Sequence, residues 1–282
     1  MLLTRVLTAL VLLPVVLGML FFADAVKWAA FALAIALLAS WEWSRFCGFS
    51  TLAWRAYLIG CGALGGALFT AYLRMPPALF ASISDSVLVA SAYFWIFAVP
   101  VWLVMKLRPP PWALAVAGWF VVWPTWAAMV ELRAASPWLL LAIAVLVWVA
   151  DIAAYFAGRR FGRVKLAPAI SPGKTWEGVA GALVGVLAYG IALDVYAHWR
   201  PNPTAAYFDE PWGALAILAM VGLTLVSITG DLFESWMKRG AGMKDSSSLL
   251  PGHGGILDRI DSLTSTLPVA ALLLALHRQS AV

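Results

Sequence analysis

Residues Trp138–Phe156 read WLLLAIAVLVWVADIAAYF, an apolar run in which Asp151 is the sole charged residue. A helix crosses the hydrocarbon of a bilayer with about 20 residues, and this run has that length without the alternation of a lipid-embedded strand. Similar runs lie at Val6–Phe22, Val26–Trp41, Trp54–Leu73, Ser86–Met105, Trp112–Val130, Gly178–Ala197, Trp212–Ser235 and Leu263–Leu276. About nine spans predict an all-α, polytopic integral membrane bundle, since helices satisfy their own backbone groups in lipid. Composition agrees: 63% of the 282 residues are hydrophobic and 12% charged, against about 45–50% and about 25% in an ordinary soluble domain.

The first run follows Met1–Arg5 and precedes Ala23-Asp24-Ala25, an arrangement that superficially resembles a cleavable leader. It is long for a leader and the next span follows at once, so a first membrane helix is expected. Cys47 and Cys61 offer neither a disulfide framework nor metal-ligand spacing.

Charge sets the topology. The N-terminus and the even-numbered loops hold Arg5, Arg45, Arg55, Lys106, Arg108, Arg159, Arg160, Arg163, Lys165, Lys174, Lys238, Arg239, Lys244 and Arg259, which are fourteen of the nineteen basic residues. The odd-numbered loops and the C-terminal tail hold Lys27, Arg74, Arg133, Arg200 and Arg278. The positive-inside rule then puts the N-terminus and even loops in the cytoplasm and the C-terminus outside. The net charge of +5 reflects this bias and would attract anionic lipid. Basic residues scattered over short loops do not make a nucleic-acid surface.

Two even loops carry more than anchoring charge. One runs from Asp151 through GRRFGRVKLAPAISPGKTWEG; the other is GDLFESWM followed by KRGAGMKDSSSLLPGHGGILDRID at Lys238–Asp261. Their basic residues suit topology, but carboxylates contribute little to it and are costly near lipid without partners. On a helix, Asp231 and Glu234 share a face, as do Asp258 and Asp261 if the last helix begins at ILDRIDSL. Such pairs serve as helix caps or bridges to Arg239 and Arg259. With Lys238 and Lys244 nearby they equally suit a hard cation such as Mg²⁺, which takes carboxylate oxygens and keeps positions open for phosphate.

Pro251–Gly255, PGHGG, reads as a tight connection whose backbone N–H groups approach an anion closely. His253 within it suits a phosphate ligand, an acid or base, or a turn residue. Gly173-Lys174-Thr175 suggests a P-loop, but Pro168 stands where its first glycine belongs and no apolar strand precedes it. Lys174 still suits a point-charge phosphate ligand, and Ser171-Pro172 or Thr175 would start a helix whose N-terminus favours an anion. Asp151 is a candidate by its depth, with Arg159 or Arg160 as the structural alternative partner.

From Ser235 the pattern is S-x-x-K-R, four residues, K-D, then L-P-G-H-G-G-x-x-D-R-x-D. It is filled by Ser235, Lys238, Arg239, Lys244, Asp245, Leu250, Pro251, His253, Gly254, Gly255, Asp258, Arg259 and Asp261. This resembles the signature of the phosphatidate cytidylyltransferase (CDP-diacylglycerol synthase) family. Gly230–Glu234, DIAAYFAGRRFG and SPGKTWEG also resemble family blocks, with Gly173 departing where a second lysine is common. Motif-grade resemblance covers about Asp151–Asp261, and the first five helices resemble the family only in hydropathy and length.

The resemblance implies cytidylyl transfer from CTP to phosphatidate, giving CDP-diacylglycerol and pyrophosphate for phospholipid synthesis. It implies a cation site of Asp231, Asp258 and Asp261, with Glu234 and Asp245 as further candidates, holding Mg²⁺ and a monovalent cation, K⁺. Lys174, Lys238, Lys244, Arg239 and Arg259 would hold phosphates or neutralise the carboxylates. His253, Gly254 and Gly255 would shape the nucleotide end, and Asp151 and Ser171 the edge. The expected architecture is a polar funnel open to the cytoplasm and laterally to lipid, in a bacterial inner-membrane homodimer. Residues 1–135 would supply bilayer fit or a dimer face, tryptophans included, and residues 136–282 the catalytic region.

Two other classes fit less well. A secondary transporter would concentrate carboxylates near the bilayer midplane and repeat its halves, and a scaffold would tolerate neutral loops. The related CDP-alcohol phosphotransferase class begins its aspartate motif with Asp-Gly, which does not occur here.

Overall fold

The computed structural model describes residues 2–199 and 214–280, with side chains described for 4–196 and 216–279. Its elements are α1 (Leu2–Phe22), α2 (Ala25–Ser44), α3 (Thr51–Arg74), α4 (Pro77–Tyr93), a π-helical turn (Phe94–Ala98), α5 (Val99–Val104), α6 (Pro111–Ala135) and α7 (Pro137–Phe161). A hairpin of β1 (Lys165–Ala167) and β2 (Ser171–Thr175) follows, then α8 (Trp176–Trp199), α9 (Ala214–Gly240) and α10 (Leu257–Ser280). Among the described residues nine helical segments are long and apolar enough to span a membrane, so the chain is an all-α polytopic membrane protein. Arg200 and the start of the expected Trp212–Ser235 span lie outside the described residues.

Local chemistry sets the helix starts. Asp24 accepts from Lys27 N at 2.8 Å, Ser136 caps α7 through Leu139 N, and prolines open α4, α6 and α7, where a missing N–H costs nothing. Pro100 cannot donate to the preceding turn, and the ladder widens to a π-turn just before it, so α4, the π-turn and α5 form one span, Pro77–Val104. Several helices outrun their hydropathic cores. The second reaches Ser44 and the last starts at Leu257, which makes Glu42, Asp258 and Asp261 helical.

Buried indoles join α2 to α6. Trp126 Nε1 donates to Ala29 O at 3.1 Å, Trp28 Nε1 to Met129 O at 2.9 Å and Trp43 Nε1 to Leu114 O at 2.7 Å. Each ring fills the interior while its N–H is satisfied, so these tryptophans of the first half serve the core of the chain. Elsewhere small residues allow close approach, as helices in lipid require. A Cβ on Gly181 of α8 would stand 2.2 Å from Ala157 Cβ of α7.

The hairpin, with Lys165 opposite Thr175, is an element the hydropathy pattern did not indicate. Thr175 Oγ1 accepts from Gly178 N at 3.1 Å, so Thr175 is the residue that starts α8, and Ser171 lies in the strand.

The even loops meet at one end of the bundle. Arg5 Nε donates to Gly252 O at 3.0 Å, Arg45 to Ser246 O, and Trp236 Nε1 to Leu107 O at 3.0 Å. At the other end Arg133 Nε donates to Leu20 O at 3.1 Å.

Candidate active site

Helix α9 supplies the spine of the site. Asp231, Glu234 and Lys238 stand at i, i+3 and i+7, so one face presents two acids followed by a lysine. Asp231 Oδ2 pairs with Lys174 of β2, fastening the hairpin to α9. Glu234 is buried, with Oε1 3.2 Å from Lys238 Nζ. That contact is an ion pair without an aligned hydrogen bond, and neither Glu234 oxygen has a hydrogen-bond partner among the described residues.

Lys238 Nζ also donates to Asp258 Oδ1 at 2.7 Å, across to α10. The other oxygen of Asp258 accepts from Ser246 N at 2.9 Å, Ser246 Oγ at 3.0 Å and Gly255 N at 2.8 Å. Asp258 thus closes the loop between α9 and α10 through one oxygen and meets Lys238 with the other. The counter-ions of these carboxylates are lysines, where arginines 239 and 259 were the structural alternative. Asp261 sits one turn further along α10, within electrostatic reach of Asp231 and Glu234. Its Oδ1 accepts from Ser262 N at 2.8 Å.

The PGHGG turn is built on backbone geometry. His253 N donates to Leu250 O and Leu250 N to Gly254 O, both at 2.8 Å, while Gly252 and Gly254 take φ of 76° and 84°, favourable only without a Cβ. His253 is a turn residue, and its Nδ1 is shielded and unpartnered among the described residues. Thr8 Oγ1 donates to Pro251 O at 2.9 Å, so α1 also grips this turn. Arg239, Lys244, Asp245 and Arg259 are exposed around it.

On the other side of Asp231 lies a cleft of about 560 Å³ between α7, the hairpin, α8 and α9. Asp151, Tyr155, Arg159, Lys165, Ser171 and Lys174 line it together with Asp231. Arg159 Nη1 donates to Tyr155 Oη at 3.0 Å, so its partner is the tyrosine four residues earlier. The cleft and the loop cage therefore share α9, and the structure brings Asp151, Ser171, Lys174 and Asp231 together, as it does Glu234, Lys238 and Asp258. Among the described residues no three His, Cys, Asp or Glu side chains stand in a metal-holding group; Lys174 pairs with Asp231, and Lys238 bridges Glu234 and Asp258.

Three residues of the site carry no motif in the sequence: Glu42, Ser246 and Ser247. Glu42 of α2 is wholly buried and accepts from Ser247 Oγ at 2.6 Å, Ile256 N at 2.9 Å, Leu257 N at 2.7 Å and Ser246 Oγ at 3.1 Å. Its signal was a lone acid in SWEWS, Ser40–Ser44, at the end of an apolar run.

Comparison with known proteins covers nearly all of the chain. The model of the cytidylyltransferase family matches residues 3–277. The chain is 40% identical over 284 residues to the phosphatidate cytidylyltransferase of Pseudomonas aeruginosa, covering 97% of both. Against the proteins of the same name from Haemophilus influenzae and Brucella suis it is 34% identical over 95% and 96% of the two chains, and 37% over 96% and 91%. With nine spans, a charged line on α9 and end-to-end similarity of this extent, the chain belongs to the cytidylyltransferase family.

Proposed function

We propose that this protein transfers the cytidylyl group of CTP to phosphatidate, giving CDP-diacylglycerol and pyrophosphate. The observation that carries the reading is the charged face of α9, where Asp231–Lys174 and Glu234–Lys238–Asp258 alternate acids and lysines at one end of a membrane bundle. A transfer between two polyanions needs that combination. A phosphatidate oxygen forms a bond to the α-phosphorus, the bond from that phosphorus to the bridging oxygen of the β-phosphate breaks, and pyrophosphate leaves with the electron pair. The attacking oxygen is already anionic, so no strong base is needed; the cost lies in repulsion, which fixed cationic groups offset.

The acids suit a hard cation. Asp231, Asp261 and Glu234, whose oxygens accept no hydrogen bond among the described residues, offer carboxylate oxygens, and Mg²⁺ often takes only one or two such protein ligands and fills its remaining positions with water and phosphate. Bound there, Mg²⁺ would neutralise phosphate oxygens and the leaving pyrophosphate; the support for K⁺ beside it is the family resemblance. Asp258 is engaged by the loop and belongs to the frame of the site. Lys174 and Lys238, now paired to acids, are the nearest groups to hold phosphates, with Lys244, Arg239 and Arg259 at the exposed rim. Gly254 and Gly255 carry the backbone toward the nucleotide, with His253 shaping that end; Asp151 and Ser171 border the cleft.

The cleft beside Asp231 is our candidate for the inner part of a funnel open to water and lipid, a polar hollow tolerated where protein lines it. Its charged face would lie in the cytoplasm, since the basic loops converge there, and the membrane would be the bacterial inner membrane. The reading includes a homodimer, supported by the family resemblance, and no nucleic-acid partner. Detergent-purified protein given phosphatidate, CTP and Mg²⁺ should form CDP-diacylglycerol and stop when Mg²⁺ is chelated. Turnover unaffected by chelation would remove the cation, and absence of the lipid product would remove the reaction.

A further inference from the structure

We infer that Glu42 is a positioning residue for cytidylyl transfer: through Ser246 it sets the orientation of Asp258, and through Asp258 the place of Lys238. The inference rests on the transfer reaction proposed above. Glu42 comes from α2, more than 200 residues away in sequence from the loop it holds. It is 0% exposed, yet among the described residues it makes no ion pair; its partners there are two hydroxyls and two backbone N–H groups.

The chemistry selects a carboxylate. Ile256 N donates to Oε1 and Leu257 N to Oε2, so each oxygen must accept. These are among the otherwise unsatisfied N–H groups at the start of α10. An amide in the same place would set its NH₂ against one of them whichever way it is turned. Glu42 is thus a capping group donated by a distant helix, and it fixes where α10 begins.

The link to the site is Ser246. Its Oγ lies 3.1 Å from Glu42 Oε2 and 3.0 Å from Asp258 Oδ2. The single hydroxyl proton of Ser246 serves one carboxylate at a time, and the oxygen, in contact with both, couples the position of one to the other. The opposite oxygen of Asp258 meets Lys238 Nζ, which meets Glu234. Gly255 completes the packing: a Cβ there would lie 1.9 Å from Ser246 Oγ and 2.4 Å from Glu42 Oε1. Ser247 provides the internal control. It donates to Glu42 Oε1 at 2.6 Å and has no bond to Asp258. A purely structural role for Glu42 treats the two serines alike; a positioning role does not.

The test compares Glu42→Gln, Ser246→Ala, Ser247→Ala and the double variant Glu42→Gln/Ser246→Ala in monodisperse detergent-purified protein. Small displacements in a transfer site cost on the order of 10²-fold in rate. Glu42→Gln and Ser246→Ala should lower kcat by about that factor with KM for phosphatidate little changed. Ser247→Ala should keep kcat, and the double variant should be no slower than the slower single, the mark of one shared path. Equal effects of the two serine variants, or singles whose losses multiply, would overturn the inference. Hydrogen exchange supplies a readout independent of activity. The amides of Ser246 and Gly255, both bound to Asp258, should exchange faster in Glu42→Gln and Ser246→Ala and stay protected in Ser247→Ala; unchanged exchange in the first two overturns it. Should wild-type protein form no CDP-diacylglycerol, the reaction fails while exchange still decides the positioning. If Glu42→Gln does not fold, the two serine variants carry the comparison.

Discussion

Lys174 on the hairpin is ion-paired to Asp231 on α9, tying the loop between the sixth and seventh spans to the helix that carries the acids. Their side chains keep 24% and 27% exposure, so the pair is worth little to stability, at most about 1 kcal/mol. Its value lies in putting a cation beside the carboxylates. Lys174→Ala should therefore cost about 10²–10³-fold in kcat/KM, the scale of losing one fixed electrostatic contact, with the melting temperature nearly unchanged. A large drop in melting temperature with activity per folded molecule retained would make the pair structural.

Asp261 differs from Asp258 in what it touches. Asp258 is held by Lys238 and by the loop groups of Ser246 and Gly255, whereas Asp261 accepts from the backbone of its neighbour and lies within electrostatic reach of Asp231 and Glu234. Asp261→Asn should abolish turnover in protein that remains folded and inserted, and raising Mg²⁺ should not restore it. Near-normal turnover would take Asp261 out of the cation site.

Gly255 tests the packing of the loop. An added methyl would meet Ser246 Oγ and Glu42, and overpacking typically costs about 1–3 kcal/mol. Gly255→Ala should lower the melting temperature measurably, while Gly173→Ala, with open space around its Cβ position, should not. Equal melting temperatures would contradict the loop geometry.

Cys47, in the turn between α2 and α3, is buried, and burial with Cys61 nearby pushes its thiol up to about 12. At pH 8 the reactive thiolate is then a fraction of about 10⁻⁴. Native protein should leave Cys47 unlabelled by maleimide at pH 8, and unfolding in detergent should expose it. Rapid labelling of the native protein would contradict its burial.

The bundle was legible because lipid imposes one rule on every span: about 20 apolar residues with internal backbone bonding. Hydropathy marks the hydrocarbon and not the helix, so α2 and α10 began or ended beyond their apolar cores. Those extensions hold Glu42, Asp258 and Asp261. The spacing of Asp231 and Glu234 correctly put both on one helix face, because that depends on local geometry alone. Glu42 was missed for the opposite reason: its partners are more than 200 residues away in sequence, and a lone acid at the end of an apolar run does not name them. The fate of Asp258 likewise depends on where Ser246 and Gly255 come to lie, which only the closed loop settles. The hairpin is short and half polar, and no alternation marks it.

The central claim is that the α-phosphorus of CTP moves to phosphatidate at the charged face of α9. The most direct measurement gives purified protein phosphatidate and CTP labelled at either the α- or the γ-phosphorus, and follows the label into lipid. The account predicts that α-label appears in the lipid product in step with pyrophosphate release and that γ-label stays in water. Gamma-label in the lipid, or pyrophosphate without α-labelled lipid, would contradict it.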